Sequence, residues 1–455
     1  MMPAHKTAGA LGALVITAAL ALTGCSGSGS SSASGSGDKQ IKNVTQADID
    51  KAMNTPTTLT LWAWLPDLQK EVDLFEKKYP KIKVNLVNTT DATRSYTKVR
   101  AALKAGKGAP DVTQIGYDYI GSFKQTNSLL DLTPYGGKEL AGDYVDWVWN
   151  QVADSKGVWA IPQDSGPLGT LYRDDLFRKA GLDGAPATWD DFAKAAEQVK
   201  SKTGAYITNL PGNDMPQIIS LFWQAGAKPF SYDGDKTVGI DLPGDVEKKV
   251  MSYWQDLIKK DLVSTDADFT DEFYQGLSRD KYASWLVAAW GPVFLQGTAK
   301  DTAGKWRAGK IPQWQAGQDV SGNWGGSSNA VLASSQNPIA AYQLAKFINH
   351  DPESTLKLAN EQFLFPTKKA TLEDPKFTGQ AGEFYGGQKV NQFFSDVSKT
   401  VDKDFAWLPF MDYANTSFND TLGKAISEKG DLVAGLSQWQ DDLVSYAKRQ
   451  GFTVK

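Results

Sequence analysis

The strongest constraint on the fold is an alternation of strand and helix patterns near the start of the chain. The strand patterns lie at residues 58–62, 82–86 and 111–116, and the helix patterns lie at residues 67–79 and 92–105. In the second strand pattern, for example, Ile82, Val84 and Leu86 alternate with polar residues, whereas the helix patterns carry one apolar stripe at helical spacing. This β-α-β-α-β order predicts an open, mostly parallel, doubly wound sheet.

A second set of alternating patterns begins after residue 157. Its strand patterns lie at residues 158–161, 169–172, 206–209 and 329–333, and its helix patterns begin at Thr188, around Ile218 and at Asn337. Thr188 with Asp191 three residues later is typical of a capped helix start, and Pro338 suits a first helical turn. Two such sets predict an α/β protein with two lobes.

The first 40 residues have the layout of a leader and a tether. Residues 8–22 are almost entirely small and apolar, which is typical of a secretory signal peptide ending at residue 24. Residues 22–25 (LTGC) resemble a bacterial lipobox, so we expect Cys25 to become a lipid anchor. Residues 25–40 are rich in serine and glycine and predict a flexible tether. The alternative is an ordinary signal peptide with an incidental cysteine.

Composition excludes several classes of function. Cys25 is the only cysteine, and His5 and His350 are the only histidines, which argues against disulfides and against a histidine-based catalytic or metal site. Charges of both signs are mixed to a net −4, so neither nucleic acid nor an anionic membrane surface is an expected partner. No phosphate loop, metal-ligand spacing or nucleophile motif is present in the sequence, and we expect no metal or cofactor.

Candidate site residues follow two of the predicted strands. Trp64 and Asp67 come after the first strand, and Tyr117 and Asp118 come after the third. Ligands bind beyond the carboxyl ends of the strands in open α/β sheets, so these residues should share a crevice. The chain also has fifteen tryptophans. Aromatic faces with nearby carboxylates and amides suit a sugar, although Trp64 could equally be a core residue.

Five stretches then carry a family resemblance, at residues 59–87, 106–116, 157–192, 282–297 and 323–348. In this order they resemble the extracellular solute-binding proteins of bacterial ABC sugar importers, of the maltose- and oligosaccharide-binding type (family 1) and in lipoprotein form. The resemblance implies a periplasmic-binding-protein-like α/β fold with doubly wound sheets and a ligand cleft between two lobes. It implies an N-terminal lobe of residues 41–162 and 326–366 and a C-terminal lobe of residues 163–325 and 367–455.

The same resemblance implies a function without catalysis. The protein would bind a carbohydrate, expected to be an oligosaccharide, at the extracellular face of the cell membrane and deliver it to the permease subunits of an ABC transporter. It would be a monomer that touches the membrane through its lipid anchor only. The implied ligand-binding residues are Trp64, Asp67, Tyr117, Asp118, Gln163, Asp164, Asn213, Trp290, Trp324 and Gly325, with Trp223 and Trp407 added as aromatics in regions that can face the cleft.

Two other functions stay open from the residues alone. A secreted glycoside hydrolase needs two carboxylates roughly 5–9.5 Å apart, and 52 acidic residues could supply such a pair by chance. A binding protein for a peptide or an osmolyte is the second alternative. For Trp290, which ends an apolar strand pattern just before Gly291-Pro292, we expect exposure to the cleft and stacking on a sugar ring.

Overall fold

The computed structural model describes residues 43–89 and 91–455. The predicted signal peptide and the whole predicted tether, residues 25–40 with Cys25, therefore lie outside the described residues. The described residues form one compact unit.

The described residues form twelve strands and nineteen α-helices, with short 3-10 turns between some of them. The strands are β1 (Thr57–Ala63), β2 (Ile82–Asn88), β3 (Val112–Gly116), β4 (Ala153–Asp154), β5 (Gly157–Val158), β6 (Ile161–Arg173), β7 (Phe230–Tyr232), β8 (Thr237–Ile240), β9 (Ser284–Ala288), β10 (Trp306–Lys310), β11 (Asn323–Val331) and β12 (Thr453–Val454). The helices are α1 (Gln46–Met53), α2 (Gln69–Lys78), α3 (Ala92–Ala105), α4 (Tyr117–Gln125), α5 (Asp146–Val152), α6 (Asp174–Ala180), α7 (Trp189–Thr203), α8 (Met215–Gln224), α9 (Asp245–Lys259), α10 (Asp271–Ser278), α11 (Gly291–Thr298), α12 (Pro338–His350), α13 (Pro352–Glu361), α14 (Lys369–Leu372), α15 (Pro375–Thr378), α16 (Val390–Ser398), α17 (Met411–Asp420), α18 (Leu422–Ser427) and α19 (Leu432–Arg449).

The first five elements after α1 confirm the predicted alternation. Strand β1 lies between β2 and β3 and runs parallel to both, with Leu59 opposite Val84 and Leu61 opposite Val112. Helix α3 has the predicted bounds because both of its ends carry specific caps. The carboxylate of Asp91 accepts from the backbone N–H of Arg94 at 2.8 Å, and Gly106 ends the helix in the left-handed conformation.

The rest of the main sheet is antiparallel, so the expectation of a mostly parallel sheet is wrong beyond its first three strands. The order is β10-β6-β11-β3-β1-β2, with β9 also paired to β6, and every pair that involves β6 or β11 is antiparallel. Residues 206–209 also form no continuous strand. Tyr206 bridges to Tyr282 and Asn209 to Ser264, so the segment pairs with two different parts of the chain.

Strand β6 belongs to both halves of the main sheet. Its first residues, from Ile161 to Pro167, pair with β11, and its last residues, from Leu168 to Arg173, pair with β9 and β10. Asp164 lies opposite Ser327 of β11 and also bridges to Pro366. The three predicted crossings between lobes, at 162/163, 325/326 and 366/367, are therefore neighbours in space, while the domain bounds themselves stay a prediction.

Close backbone approach fixes the crossing at Gly326. Its φ is 102°, and a Cβ added there would lie 2.6 Å from the ring of Tyr117 and 3.0 Å from the carbonyl oxygen of Asp164. The Tyr117 hydroxyl donates to that same carbonyl at 2.8 Å. Only glycine fits this position without a shift of the backbone or of the tyrosine.

We expect Gly326→Ala to lower the free energy of unfolding by about 2–4 kcal/mol, because it adds left-handed strain and a clash with Tyr117. Gly297→Ala is the matched control: Gly297 lies in α11, a Cβ there meets nothing within 4 Å, and alanine favours a helix. Chemical denaturation of both variants checks this. Equal stability of the two variants would contradict the packing argument.

Candidate functional site

The loop after β1 is held by a side chain of β3. The Gln114 Oε1 atom accepts from the backbone N–H groups of Trp64 at 3.0 Å and Leu65 at 3.2 Å. Its Nε2 atom donates to the Ser327 hydroxyl at 3.0 Å, and that hydroxyl contacts the carboxylate of Asp164. The position of Trp64 is therefore linked by hydrogen bonds to the crossing strands β6 and β11.

The first half of the candidate site consists of Trp64, Tyr96, Tyr119 and Asp118, which we call the Trp64 group. Trp64 packs edge-on to Tyr96 with ring centroids 5.7 Å apart, and Tyr96 stacks on Tyr119 at 4.1 Å. Asp118 is half-buried at the start of α4, and desolvation raises its pKa to about 7. The group offers aromatic faces and one carboxyl that readily carries a proton.

The second half, which we call the Trp290 group, consists of Phe269, Trp290, Phe294 and Trp324. The Trp290 ring lies 4.9 Å from that of Trp324, 5.8 Å from that of Phe294 and 6.1 Å from that of Phe269. The indole N–H of Trp290 donates to the carbonyl oxygen of Trp324 at 2.9 Å. Phe269 and Phe294 are 45% and 47% exposed, which is unusual for such apolar side chains.

Two buried carboxyl groups lie behind this aromatic group. Burial raises the pKa of Asp214 to about 7, while hydrogen bonds from Gln217 and Trp324 act in the opposite direction. The pKa of Asp268 is also raised well above its ordinary value, first by burial and then by the nearby Asp214, although the amide of Asn209 donates to it. Two acids this close and this dry favour the protonated form of at least one of them.

The loop that presents Phe269 is held in an unfavourable conformation. The Asn213 side chain pairs with the backbone of Asp268, accepting from its N–H at 3.0 Å and donating to its carbonyl at 3.2 Å. Phe269 itself has a φ of 61°, a region that bulky residues avoid. Such strain is retained where surrounding contacts hold it, and it is often found at functional sites.

Gly325 and Gly326 lie between the two groups. A Cβ added at Gly325 would lie 3.6 Å from the indole nitrogen of Trp290, whereas one at Gly326 would meet the Tyr117 ring. The absence of side chains at this irregular part of β11 leaves the backbone exposed beside Trp290. The arrangement is a surface of aromatic faces and polar backbone that suits a neutral, hydroxylated ligand.

The twelve predicted ligand-binding residues lie in three environments: near the surface of the candidate site, buried beside it, and in a separate aromatic cluster. Trp64, Asp67, Asp118, Asp164, Asn213, Trp290 and Gly325 are exposed or half-buried near the elements described above. Tyr117, Gln163 and Trp324 are buried, and each side chain is engaged within the fold. Gly291 and Pro292 also begin α11 instead of forming an isolated turn, so Trp290 lies at the N-cap of a helix.

Trp223 and Trp407 lie in a separate aromatic cluster. Trp223 is only 1% exposed, its indole N–H donates to the Asp402 carbonyl at 2.8 Å, and its ring stacks on Phe405 at 4.2 Å. The structure therefore places it in the core, where helix α8 is buried on all sides. Trp407 is half-buried and donates to Gln151 at 2.6 Å.

Sequence reasoning missed Phe269, Phe294, Asp214 and Asp268. Phe269 lies in an acidic loop (DADFTDE) that has no hydrophobic periodicity, so nothing in the sequence indicated its role. Asp214 precedes Met215-Pro216, which marks it as a helix cap, and its carboxylate accepts from Gln217 N–H at 3.0 Å.

Two features are absent from the described ranges 43–89 and 91–455. Within them, no three or more His, Cys, Asp or Glu side chains are grouped so that they could hold a metal ion. Within the same ranges, no helix has both the length and the apolar character that a bilayer span requires.

The chain matches the family model described as bacterial extracellular solute-binding protein over residues 62–351. It is 34% identical to the ABC transporter associated binding protein of B. animalis subsp. lactis Bl-04, solved in complex with β-1,6-galactobiose. That match has a TM-score of 0.76 and covers 88% of this chain and 100% of the other. The similarity confirms the two-lobed, periplasmic-binding-protein-like α/β fold.

Curated relatives are more distant in sequence. The chain is 24% identical to the arabinooligosaccharide-binding protein of Halalkalibacterium halodurans, over 80% of this chain and 85% of that protein. It is 27% identical to the lactose-binding protein of Rhizobium radiobacter, over 74% of this chain and 81% of that protein.

The raised pKa of Asp214 predicts how stability depends on pH. Its pKa is 3.8 in an ordinary setting and about 7 in the fold, so the folded state holds the proton more tightly. Stability from this group is therefore complete at low pH and is lost as the pH rises from 3.8 through about 7. We expect Asp214→Asn to make the melting temperature less dependent on pH between 3.8 and about 7, with Asp268 retaining part of the dependence.

Thermal unfolding at a series of pH values checks this expectation. Asp441→Asn is the control, because Asp441 is an exposed carboxylate on α19. The same pH dependence in Asp214→Asn and in the unmodified protein would show that Asp214 does not titrate in this range.

Proposed function

Because the chain belongs to the family of bacterial extracellular solute-binding proteins, we propose that it binds an oligosaccharide and delivers it to the permease subunits of an ABC transporter. The ligand lies between the Trp64 group and the Trp290 group. The protein acts without catalysing a reaction and without a metal or cofactor. It works as a monomer outside the cytoplasm.

The exposed faces of the Trp290 group carry this proposal. Phe269 and Phe294 are nearly half exposed although each flanks the half-buried Trp290. The cluster therefore contributes less hydrophobic stabilisation to the fold than it would if these rings were buried. Flat aromatic surface left in water suits the apolar C–H faces of a sugar ring. The polar surroundings at Asn213 and Gly325 supply hydrogen-bonding groups for sugar hydroxyls.

The similarities favour a galactoside as the first ligand to test. One relative was solved with β-1,6-galactobiose and another is a lactose-binding protein, and both ligands contain galactose in β linkage. Two relatives are arabinooligosaccharide-binding proteins, which makes arabinose-containing chains the second class.

Glycoside hydrolysis is less well supported by the geometry. Asp214 and Asp268 are the acids beside the Trp290 group, and they are 7% and 1% exposed. Their oxygens accept bonds from Gln217, Trp324 and Asn209, so neither carboxyl is placed to reach a glycosidic bond. An incubation that releases no monosaccharide from a bound disaccharide separates binding from hydrolysis.

We further propose that the mature protein is anchored by a lipid on Cys25. The support is the sequence alone: an apolar leader, the LTGC stretch and a serine- and glycine-rich segment of a length that would keep the folded body close to a membrane surface.

We expect Trp290→Ala to weaken binding of β-1,6-galactobiose or lactose by roughly 30-fold or more, since loss of a central aromatic anchor typically costs 2 kcal/mol. Isothermal titration calorimetry of the unmodified and variant proteins measures this change. The melting temperature should fall less than in a core tryptophan variant, because Trp290 is half-buried.

Trp314→Ala is the matched control. Trp314 is also half-buried and packs against Trp189 and Tyr253, on a different aromatic cluster. It should lower stability while leaving sugar affinity unchanged. An unchanged affinity in Trp290→Ala would remove Trp290 from the binding site, and failure of galactosides and arabinooligosaccharides alike to bind would refute sugar binding.

We expect Cys25→Ala to move the protein from the membrane fraction to the soluble extracellular fraction, because a single tether would then lack its hold on the bilayer. Fractionation followed by immunoblotting checks this, with Ser26→Ala as the control beside it. Membrane association of Cys25→Ala in cells without the permease would contradict lipid anchoring.

A further inference from the structure

All three large apolar side chains that are exposed in the described part of the chain lie around Trp290. Phe269 and Phe294 touch its ring, and Phe363, which is 55% exposed, lines the same cavity as Trp290. Exposed aromatic residues that converge on one place commonly mark an interaction site. Phe363 comes from a different part of the chain and is not a member of the Trp290 group, so its exposure needs a separate explanation.

The cavity shared by Trp290 and Phe363 has a volume of about 260 Å³, and we call it the α11 chamber. One wall is the start of α11, and the other walls are the loop after α13 and residues 377–391. A volume of this size holds several waters at about 30 Å³ each, and it lies just below the roughly 300 Å³ at which small-molecule pockets begin. It is therefore large enough for one sugar ring but not for a second complete disaccharide.

The backbone of Phe363 is held in a conformation that glycine would adopt more easily. Phe363 has a φ of 58° and follows Gln362, the C-cap of α13. Helices commonly place glycine there, and a bulky residue raises the free energy of the folded state. If the position served only to end the helix, glycine would do so better. A phenylalanine at this position therefore needs a reason other than helix termination, because its backbone conformation raises the free energy of the folded state.

Side-chain hydrogen bonds fix that helix end. The Gln362 amide donates to the carboxylate of Glu71, which is fully buried, and to the carbonyl oxygen of Asp67 at 3.3 Å. Asp67 is itself in the left-handed region, with a φ of 58°. The backbone N–H of Leu364 donates to Leu358 at 3.2 Å. Phe363 is thus presented from a rigid support that also includes the loop after β1.

The lining of the α11 chamber is aromatic and polar but uncharged. It contains the side-chain amides of Gln296, Gln380 and Asn391 and the hydroxyl of Tyr385, and none of its lining residues is an acid or a base. Internal bonds orient these groups, since Gln380 donates to Asn360 at 2.9 Å and Tyr385 to the Pro292 carbonyl at 2.6 Å. Amides beside aromatic faces suit a neutral polyol and offer no counter-charge to an ionic ligand.

We propose that the α11 chamber is an additional sugar subsite next to Trp290, in which Phe363 stacks on a third ring of the oligosaccharide. This inference rests on the proposed function and adds that the preferred ligand of the protein is an oligosaccharide of three or more rings. The third ring packs against Phe363 on one side and reaches the amides of Gln296 and Gln380. A disaccharide occupies only the Trp64 and Trp290 groups and leaves the chamber to water.

The test compares ligands of one linkage and two lengths, β-1,6-galactobiose and β-1,6-galactotriose, with arabinooligosaccharides of two and three rings as a parallel series. Calorimetric titration of the unmodified protein should show about tenfold tighter binding of the trisaccharide in the series that binds. Phe363→Gly, which removes the ring and relieves the backbone, should abolish that gain and leave disaccharide affinity within about twofold. Phe363→Tyr keeps the ring and should keep the gain.

Three results would overturn the inference. Equal affinity of the unmodified protein for two and three rings would show that the chamber holds no sugar. If Phe363→Gly lowers the affinity for two-ring and three-ring sugars equally, Phe363 either contacts the disaccharide or has only a structural role. Binding of none of the four sugars would overturn the proposed function as well, whereas the first two results leave it intact. Melting temperatures of the variants identify any loss that is due to unfolding.

Discussion

The pairing of β6 with β11 holds the two halves of the main sheet together and positions the candidate site at the same time. The N–H of Gly166 in β6 donates to the Asn323 side chain of β11 at 2.9 Å, and a Cβ at Gly166 would lie 2.0 Å from the Trp324 carbonyl. Trp290 donates to that same carbonyl. The aromatic surface is therefore attached to the paired strands themselves, so a change in the pairing of β6 and β11 would move that surface as well.

Buried carboxyls are the energetic cost of this arrangement. One oxygen of Asp268 is buried, and among the described residues it has no hydrogen-bond partner, while Asp214 nearby is also shielded from water. A charge in this position would be poorly solvated, which is why the pKa of each of these two acids is raised. The Asp214 carboxylate caps the start of α8, and the Asp268 carboxylate binds Asn209 and so holds the loop before Phe269. These two buried polar groups lower stability, but they fix the position of the aromatic residues.

The sequence alone was sufficient wherever local rules decide the structure. The first three strands and α3 follow from hydrophobic period and capping residues, and Thr188 caps α7 as its spacing indicates. The antiparallel pairing of β6 was not accessible, since its partners lie more than 100 residues further along the chain. In the candidate site, Trp64 and Trp290 could be found from strand ends. Phe269 and Phe363 could not, because a left-handed φ at a phenylalanine is imposed by tertiary contacts and leaves no pattern in the sequence.

The three neighbouring chain crossings have a mechanical consequence. At Asp164 the chain runs beside Ser327 on one side and Pro366 on the other, so the connection between the halves of the main sheet is a narrow three-stranded ribbon. A ribbon bends easily across its thin dimension and resists both shear and bending within its plane, because those motions break the lateral hydrogen bonds. Bending across the thin dimension is therefore the softest rotation that the three crossings themselves allow. Opening and closing along a single arc is the motion that such a joint permits, and the ligand needs to select only a position on that arc.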